Sequence, residues 1–253
     1  MSPSSACAAC RDGDPLGFNF SMAFQPIVDT DRRRVFAYEA LVRGTDGGGA
    51  AGVLAQVNAD NLYRFDQACR VKAVTLAARL GIDCHLSINF QPNAVYQAAT
   101  CLRATLATAR RVGFPTELLM FEIVENERAL DHAHLGHIVD EYARQGFLTA
   151  LDDFGAGYSG LALLADIQPD LIKLDMALIR GIDTDPVRQT LVRHTLGMCT
   201  ELGIRVVAEG VETLEEWRRL QAMGVHLFQG YLFTRPGFEQ LPAVQWPGER
   251  VEG

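Results

Sequence analysis

Glycines divide this chain at regular places, and a short apolar run follows each of them. Each glycine ends a segment of helical periodicity, where a left-handed residue commonly closes a helix. The runs are rich in Leu, Ile, Val and Phe without clean alternation, which is typical of strands buried on both faces of a parallel sheet. The glycines are Gly81, Gly113, Gly146, Gly203 and Gly224, and the runs cover residues 85–90, 118–124, 147–151, 205–208 and 225–228. Repeated units of this kind predict βαβ architecture with right-handed crossovers.

The N-terminal part follows a different pattern. Residues 20–28 and 35–42 have strand character, and the polar turn-like residues 29–33 separate them. We therefore predict an antiparallel hairpin. Near the other end, Thr213 and Glu216 have the spacing of a capping box and predict a helix start.

The length of 253 residues suits one large α/β domain. We expect this domain over residues 18–245, with a flexible N-terminal tail over residues 1–17 and a C-terminal tail over residues 246–253. No run approaches the roughly 18 consecutive apolar residues that indicate a membrane span. The first 17 residues also lack the basic leader and apolar stretch of a secretory signal, so we expect a cytoplasmic protein.

The charge balance limits the classes of ligand. Lys and Arg total 23 and Asp and Glu total 31, which gives a net charge of −8 at pH 7. Binding of long nucleic acid through a basic face needs many cations that displace counterions, so this mode is excluded. A small anionic ligand remains compatible with the chain if metal ions or a few local cations receive it.

Polar residues end the apolar runs. In a parallel barrel the carboxyl ends of the strands share one rim, where residues distant in sequence meet and active sites are assembled. Lys173 and Asp175 lie two positions apart on a further strand-like run, and therefore on one face. The polar residues that end the other runs are Glu39, Asn89, Glu122, Asp152 with Asp153, Glu209 and Gln229.

Each of these acids alone has an ordinary structural interpretation. The pair Asp152-Asp153 is compatible with a helix N-cap or with a bound cation, Glu39 with an ion pair to Arg43, and Glu209 with a cap on the next helix. Together, five carboxylates around one cavity would repel one another and face a desolvation cost of several kcal/mol each. Divalent cations remove this conflict, and oxygen ligands favour Mg²⁺ or Mn²⁺ over zinc. The pattern therefore predicts metal-assisted hydrolysis, with two ions clamping a phosphodiester.

Two cations accompany the acids. Lys173 is compatible with an ion pair to Asp175 or to a metal-ligating acid, and equally with catalysis if metals and burial lower its pKa enough to orient or deprotonate a water. Arg43 shares a strand face with Glu39, and its guanidinium is suited to hold a phosphate oxygen.

These segments, in this order, resemble the EAL domain family of cyclic di-GMP phosphodiesterases. The resemblance covers about residues 20 to 236, nearly the whole chain, and its strength lies in the ordered series rather than in any one tripeptide. The matching segments are residues 24–28, the Glu39-Ala40-Leu41 tripeptide, and residues 87–89, 121–125, 152–155, 173–175, 208–212 and 229–231.

The resemblance implies a modified (β/α)₈ TIM-like barrel whose first strand runs antiparallel. It implies two Mg²⁺ or Mn²⁺ ions, with Asp153 between them, and opening of cyclic di-GMP, a bacterial second messenger, to linear pGpG. It also implies a homodimer that forms through a helix near the loop after Asp153. The implied metal ligands are Glu39, Asn89, Glu122, Asp152, Asp153 and Glu209. The implied catalytic residues are Lys173, which contacts the water, Glu39 and Asp153, and the implied substrate contacts are Gln25, Arg43, Asp175 and Gln229. Glu125 and Glu212 are implied to support the metal site and the loop.

Some positions depart from the family pattern. Val124 replaces a threonine hydroxyl, and Ala156 and Gly160 stand where threonine and serine are commoner. None of these is an implied metal ligand, so they concern the order of the loop rather than the capacity for hydrolysis. The alternatives are a catalytically silent receptor, whose relatives usually lack a ligand or the lysine, and an unrelated metal-dependent phosphodiesterase on the same barrel.

Overall fold

The protein is described by a computed structural model over residues 16–91, 101–124, 132–157 and 160–248. Its strands are β1 (Ser21–Asp29), β2 (Arg34–Arg43), β3 (His85–Phe90), β4 (Leu119–Val124), β5 (Leu148–Phe154), β6 (Leu171–Leu174), β7 (Arg205–Ala208), β8 (Leu227–Phe228) and β9 (Gly237–Phe238). Its helices are α1 (Ala50–Leu54), α2 (Leu62–Leu80), α3 (Arg103–Val112), α4 (His132–Arg144), α5 (Gly160–Asp166), α6 (Met176–Ile179), α7 (Pro186–Leu202) and α8 (Leu214–Ala222). None of the described helices combines the length and apolar character that crossing a bilayer demands.

The strands form a closed barrel. Strands β2 to β8 are parallel neighbours in chain order, and β1 lies between β8 and β2, antiparallel to both. Strand β9 adds a short antiparallel pairing to β1. The predicted modified (β/α)₈ barrel with an antiparallel first strand is therefore confirmed.

The glycine pattern marks the helix ends as predicted. Gly81, Gly113, Gly146, Gly203 and Gly224 all have left-handed φ angles, between 72° and 96°. The predicted end of β5 at residue 151 is wrong, because the strand continues through the paired aspartates to Phe154. A change from apolar to acidic residues therefore does not end this strand.

Side chains inside the barrel are arranged in two layers. Side chains two positions apart on a strand point to the same face, so each interior strand position can be followed along the barrel axis. A compact apolar cluster of Ile27, Phe36, Ala37, Met120, Ala150, Leu171, Val207 and Leu227 fills the lower layer. Two positions from many of these residues stand the predicted polar residues, for example Ala37 before Glu39, Leu171 before Lys173 and Val207 before Glu209. The alternation therefore places an apolar floor beneath a polar upper layer.

The start of α8 offers a test of local stability. The Thr213 hydroxyl accepts from the Glu216 backbone N–H at 3.2 Å, and the Glu216 carboxylate accepts from the Thr213 N–H at 3.2 Å, so the predicted capping box is present. We expect Thr213→Ala to lower the free energy of unfolding by about 1 kcal/mol, because one backbone donor loses its partner. Urea unfolding measures this change. Thr213→Ser, which keeps the hydroxyl, is the control, and an alanine variant as stable as the serine variant would contradict the role of the cap.

Candidate metal centre

Lys173 lies at the centre of the polar layer, with four carboxylates around its ammonium. Its Nζ is 2.8 Å from Glu122 Oε2, 2.9 Å from Asp152 Oδ1, 2.6 Å from Glu209 Oε1 and 3.4 Å from Glu39 Oε2. The lysine side chain is fully buried. The structure thus brings together acids from four different strand ends, as the sequence predicts.

Amide side chains hold Glu39 from two further strands. Asn89 Nδ2 donates to Glu39 Oε1 at 2.9 Å, and Gln229 Nε2 donates to Glu39 Oε2 at 2.7 Å. The same Gln229 nitrogen lies 3.3 Å from Gln25 Oε1. Arg43 is not the partner of Glu39 here, and its guanidinium donates to the carbonyl oxygen of Val42 at 2.7 Å.

Glu122 lies at the bottom of the centre, where no part of it is exposed. Besides Lys173 it has a second partner, the Ser87 hydroxyl, which donates to Oε1 at 2.5 Å. Ser87 is not among the site residues predicted from the sequence. Period two along β3 places it on the same face as Asn89, and this signal was available in the sequence.

A β-bulge brings both aspartates of β5 to the centre. In the pairing with β6, Leu151 is opposite Ile172 and Phe154 is opposite Leu174, so two residues of β5 stand against Lys173 alone. Asp153 has φ = 54°, which is rare for a residue other than glycine. The extra residue cancels the alternation that would otherwise turn one acid away from the barrel axis. Oxygen atoms of Asp152, Asp153 and Glu209 consequently lie within 4.8 Å of one another.

Charge repulsion and burial shift the pKa values of these groups in different directions. Burial, followed by the charge of Glu39, raises the pKa of Glu122 well above its usual value. Burial likewise raises the pKa of Asp153 to about 6, with Asp152 and Asp175 adding to the effect. Burial opposes ionisation of Glu39, but Lys173, Gln229 and Asn89 outweigh it, so the pKa of Glu39 is lowered.

The lowering of the Lys173 pKa that the sequence allows requires bound metal ions, and the protein groups by themselves act in the opposite direction. Burial acts in the expected direction, but the surrounding carboxylates outweigh it and raise the pKa of Lys173 well above its usual value. The lysine is therefore held as an ammonium.

A cavity of about 290 Å³ opens above the centre. Among the predicted site residues that the structure describes, Asn89, Glu122 and Arg43 are outside its lining. Four residues that were not predicted from the sequence also line it, namely Met176, Gly210, Gly230 and Tyr231. The predicted residues in the lining are Gln25, Glu39, Asp152, Asp153, Lys173, Asp175, Glu209, Glu212 and Gln229.

Two acids at the rim have partners of their own. Asp175 caps α6 by accepting from the Ala177 N–H at 2.8 Å, and it is not an ion-pair partner of Lys173 among the described contacts. Glu212 forms a double ion pair with Arg180, with both N–O distances at 2.8 Å.

Glu125 lies outside the described residues. Glu209 is not a helix cap, because Thr213 fills that position for α8.

Gly230 allows close approach of two chain segments at the rim. The Val211 N–H donates to the Gln229 carbonyl at 3.1 Å, and the Leu232 N–H donates to the Val211 carbonyl at 3.1 Å. A Cβ at position 230 would overlap the backbone N and O of Val211. We expect Gly230→Ala to lower the free energy of unfolding by about 1–3 kcal/mol, as overpacking does.

Urea unfolding also checks this expectation. Gly197→Ala in α7 is the control, because a Cβ there meets no atom within 4 Å. Alanine inside a helix is more stable than glycine by roughly 0.5–1 kcal/mol, so the control is expected to gain stability. An equal change in the free energy of unfolding of the two variants would contradict the crowding at residue 230.

Fold and site together define a (β/α)₈-type barrel protein. Carboxylate and amide side chains surround a buried lysine at the carboxyl ends of its strands. The chain belongs to the EAL domain family, whose model matches residues 16–236.

Solved structures agree with this assignment. A standalone versatile EAL protein from Vibrio cholerae O395, in its c-di-GMP-bound form, is 52% identical with a TM-score of 0.89, covering 91% of this chain and 98% of that one. The manganese and cyclic di-GMP complex of Klebsiella pneumoniae BlrP1 at pH 9.0 is 37% identical with a TM-score of 0.82, covering 90% of this chain and 57% of that one.

Curated relatives carry names of two kinds. The cyclic di-GMP phosphodiesterase PA2567 of Pseudomonas aeruginosa is 30% identical over 226 residues, which is 86% of this chain and 38% of the relative. The blue light- and temperature-regulated antirepressor BluF of Escherichia coli is 31% identical over 233 residues, which is 92% of this chain and 58% of the relative. The chain thus spans only part of the length of these relatives.

Proposed function

We propose that the chain hydrolyses cyclic di-GMP to linear pGpG at this centre, with the help of two divalent cations, Mg²⁺ or Mn²⁺. The observation that carries the proposal is the single ammonium of Lys173 among four carboxylates, with Asp153 close beside them. Such an excess of buried negative charge fits a site that receives cations. The names of PA2567 and of the two ligand-bound structures support the choice of substrate.

The donor atoms fit a hard divalent cation. Asp152 Oδ1 is buried and accepts no hydrogen bond, although Lys173 lies 2.9 Å away. Carboxylate and amide oxygens are the ligands that Mg²⁺ and Mn²⁺ prefer, and the manganese in the BlrP1 complex supports this class of ion. We assign the ions to Glu39, Asn89, Glu122, Asp152, Asp153 and Glu209, with Asp153 between them.

Bound divalent ions supply Lewis acidity and a nucleophilic water at neutral pH. The protein groups then have separate tasks. We assign Lys173, whose ammonium lies among the four carboxylates, to orienting the attacking water through its N–H donors. Asn89 and Gln229 each donate a hydrogen bond to Glu39, so we assign these two amides to orienting its carboxylate.

We assign substrate contacts to Gln25, Arg43, Asp175 and Gln229. Three of these line the cavity, which supports their assignment. Arg43 is outside the cavity lining, and its assignment rests on the strand face that it shares with Glu39 and on the family resemblance. We assign Glu125 and Glu212 to support of the site, and the Glu212 pair with Arg180, which ties the loop after β7 to the end of α6, supports the second of these.

The remaining proposals concern organisation. We propose a cytoplasmic domain over residues 18–245 between two tails, and a homodimer that forms through α5, the helix after the loop that follows Asp153. Leu161, in the first turn of α5, is 67% exposed, which supports an apolar contact there. Light scattering tests the dimer, and the mass of one chain at every concentration, with and without ligand, would contradict it.

One assay tests the proposed reaction. The purified chain is incubated with cyclic di-GMP and Mn²⁺ or Mg²⁺, and the nucleotides are separated by chromatography. We expect pGpG to form with either ion and to be absent when a chelator is added. Binding of cyclic di-GMP without pGpG would contradict the proposal and favour the silent receptor. Faster hydrolysis of a generic diester such as bis(p-nitrophenyl) phosphate would favour an unrelated phosphodiesterase.

A further inference from the structure

A second cavity lies at the opposite end of the barrel from the acidic centre. We call it the basal cavity; it is lined by Arg34, Phe36, Leu196, Arg205, Val206 and Val225, among other residues. Its volume of about 630 Å³ exceeds the 290 Å³ of the cavity above the acidic centre. The amino-terminal ends of barrel strands ordinarily contribute stability rather than binding sites, so a cavity of this size is unusual at that end.

Two guanidinium groups in the basal cavity form no ion pair with the described residues. Arg32 pairs with Asp29 at 2.9 Å, and His226 lies 2.6 Å from Asp31. No ion pair within 4.0 Å links Arg34 or Arg205 to any described carboxylate. In a chain with a net charge of −8, two such guanidinium groups at one cavity favour an external anion.

The Phe36 ring contacts one of these guanidinium groups, that of the exposed Arg205. The Arg205 guanidinium carbon lies 5.1 Å from the centroid of the Phe36 ring, within the range of a cation–π contact. The ring provides no hydrogen-bond acceptor in the plane of the guanidinium, so the contact leaves the N–H donors available. A planar donor group held on a ring is well suited to bind the oxygens of a phosphate in a bidentate manner.

One wall of the basal cavity is apolar, and the lining also includes the polar residues Asp29, Asp31, Arg32, Thr200 and His226. Leu196 and Cys199 come from α7 and Val206 comes from β7, while Ile204 and Val225 lie just before β7 and β8. A fully hydrated inorganic anion would leave this wall in contact with water, whereas an organic body would cover it. We propose that the basal cavity binds a small organic phosphate, with its phosphate on Arg34 and Arg205 and its apolar body against α7.

Phenyl phosphate is a suitable probe, because it joins a phosphate group to an apolar ring, the two parts of the proposed ligand. Binding is measured by calorimetry and by the shift in Tm, with a chelator present so that metal ions cannot bind phosphate at the acidic centre. We expect saturable binding of phenyl phosphate, weaker binding of inorganic phosphate and no binding of phenol. We expect the double variant Arg34→Gln, Arg205→Gln to bind phenyl phosphate at least about tenfold more weakly, because two charge-assisted contacts are lost.

Two matched variants distinguish the basal cavity from the outer surface of α7 and from the acidic centre. Arg193→Gln removes an exposed arginine of α7 that is outside the cavity lining, and we expect unchanged affinity. Asp152→Asn alters the acidic centre and is expected to leave the affinity unchanged as well. If the double variant does not fold, each single variant is expected to weaken binding on its own. Absence of saturable binding by the unmodified chain, or equal affinity in the folded double variant, would overturn the proposal.

Discussion

Replacing Asp152 by asparagine is expected to reduce hydrolysis of cyclic di-GMP by at least about 1000-fold, because loss of a metal contact removes several kcal/mol of transition-state stabilisation. It is also expected to weaken Mn²⁺ binding, measured by calorimetry. Asp152 Oδ1 is buried and accepts no hydrogen bond, and its one described cationic partner, Lys173 at 2.9 Å, is shared with three other carboxylates, so a metal ion would complete its contacts. The amide of asparagine lacks the negative charge.

The stability of this variant separates loss of function from loss of fold. Asp152 belongs to a cluster in which carboxylates outnumber the single ammonium of Lys173. Removal of one negative charge relieves repulsion, so the free energy of unfolding in chelator is expected to stay equal or rise. Asp60→Asn, at an exposed position before α2, is the control and is expected to keep full activity. Turnover of the Asp152 variant within tenfold of the unmodified chain would contradict the proposed metal contact.

Much of the fold follows from local signals in the sequence. A left-handed glycine identifies the ends of α2, α3, α4, α7 and α8, and the apolar run after it identifies the next strand, because neither signal depends on distant residues. The end of β5 depends on a bulge against β6, where residues of β5 and β6 are paired two against one. A bulge is a relation between two strands, and the composition of one strand does not reveal it.

The membership of the centre was predictable for a similar reason. Side chains alternate between the two faces of a strand, and this alternation predicts that Glu39, Glu122 and Lys173 point to the barrel interior. Parallel strands bring their carboxyl ends to one rim. The hydrogen bond from Ser87 to Glu122 and the ion pair of Arg180 with Glu212 depend on distances between separate segments. The direction of the Lys173 pKa shift depends on how many carboxylates come within contact distance, which spacing along the chain does not give.

Replacing Lys173 by methionine tests the electrostatic balance of the centre most directly. Loss of the group that orients the water is expected to lower turnover by at least about 100-fold, as loss of precise positioning does. Without metal ions, the variant leaves buried carboxylates with no cation, and removal of one partner from a buried ion pair typically costs about 3–5 kcal/mol. The free energy of unfolding in chelator is therefore expected to fall by about that amount.

Metal ions should reverse this loss of stability. Mn²⁺ neutralises the same carboxylates, and its binding to the folded state stabilises the variant by mass action. We expect urea unfolding to show a large difference between Lys173→Met and the unmodified chain in chelator, and a small one in saturating Mn²⁺. Lys72→Met, at the exposed lysine on α2, is the control and should behave like the unmodified chain in both conditions. A Lys173 variant that is equally stable with and without Mn²⁺ would show that no cation replaces the ammonium, and it would contradict the proposed metal centre itself.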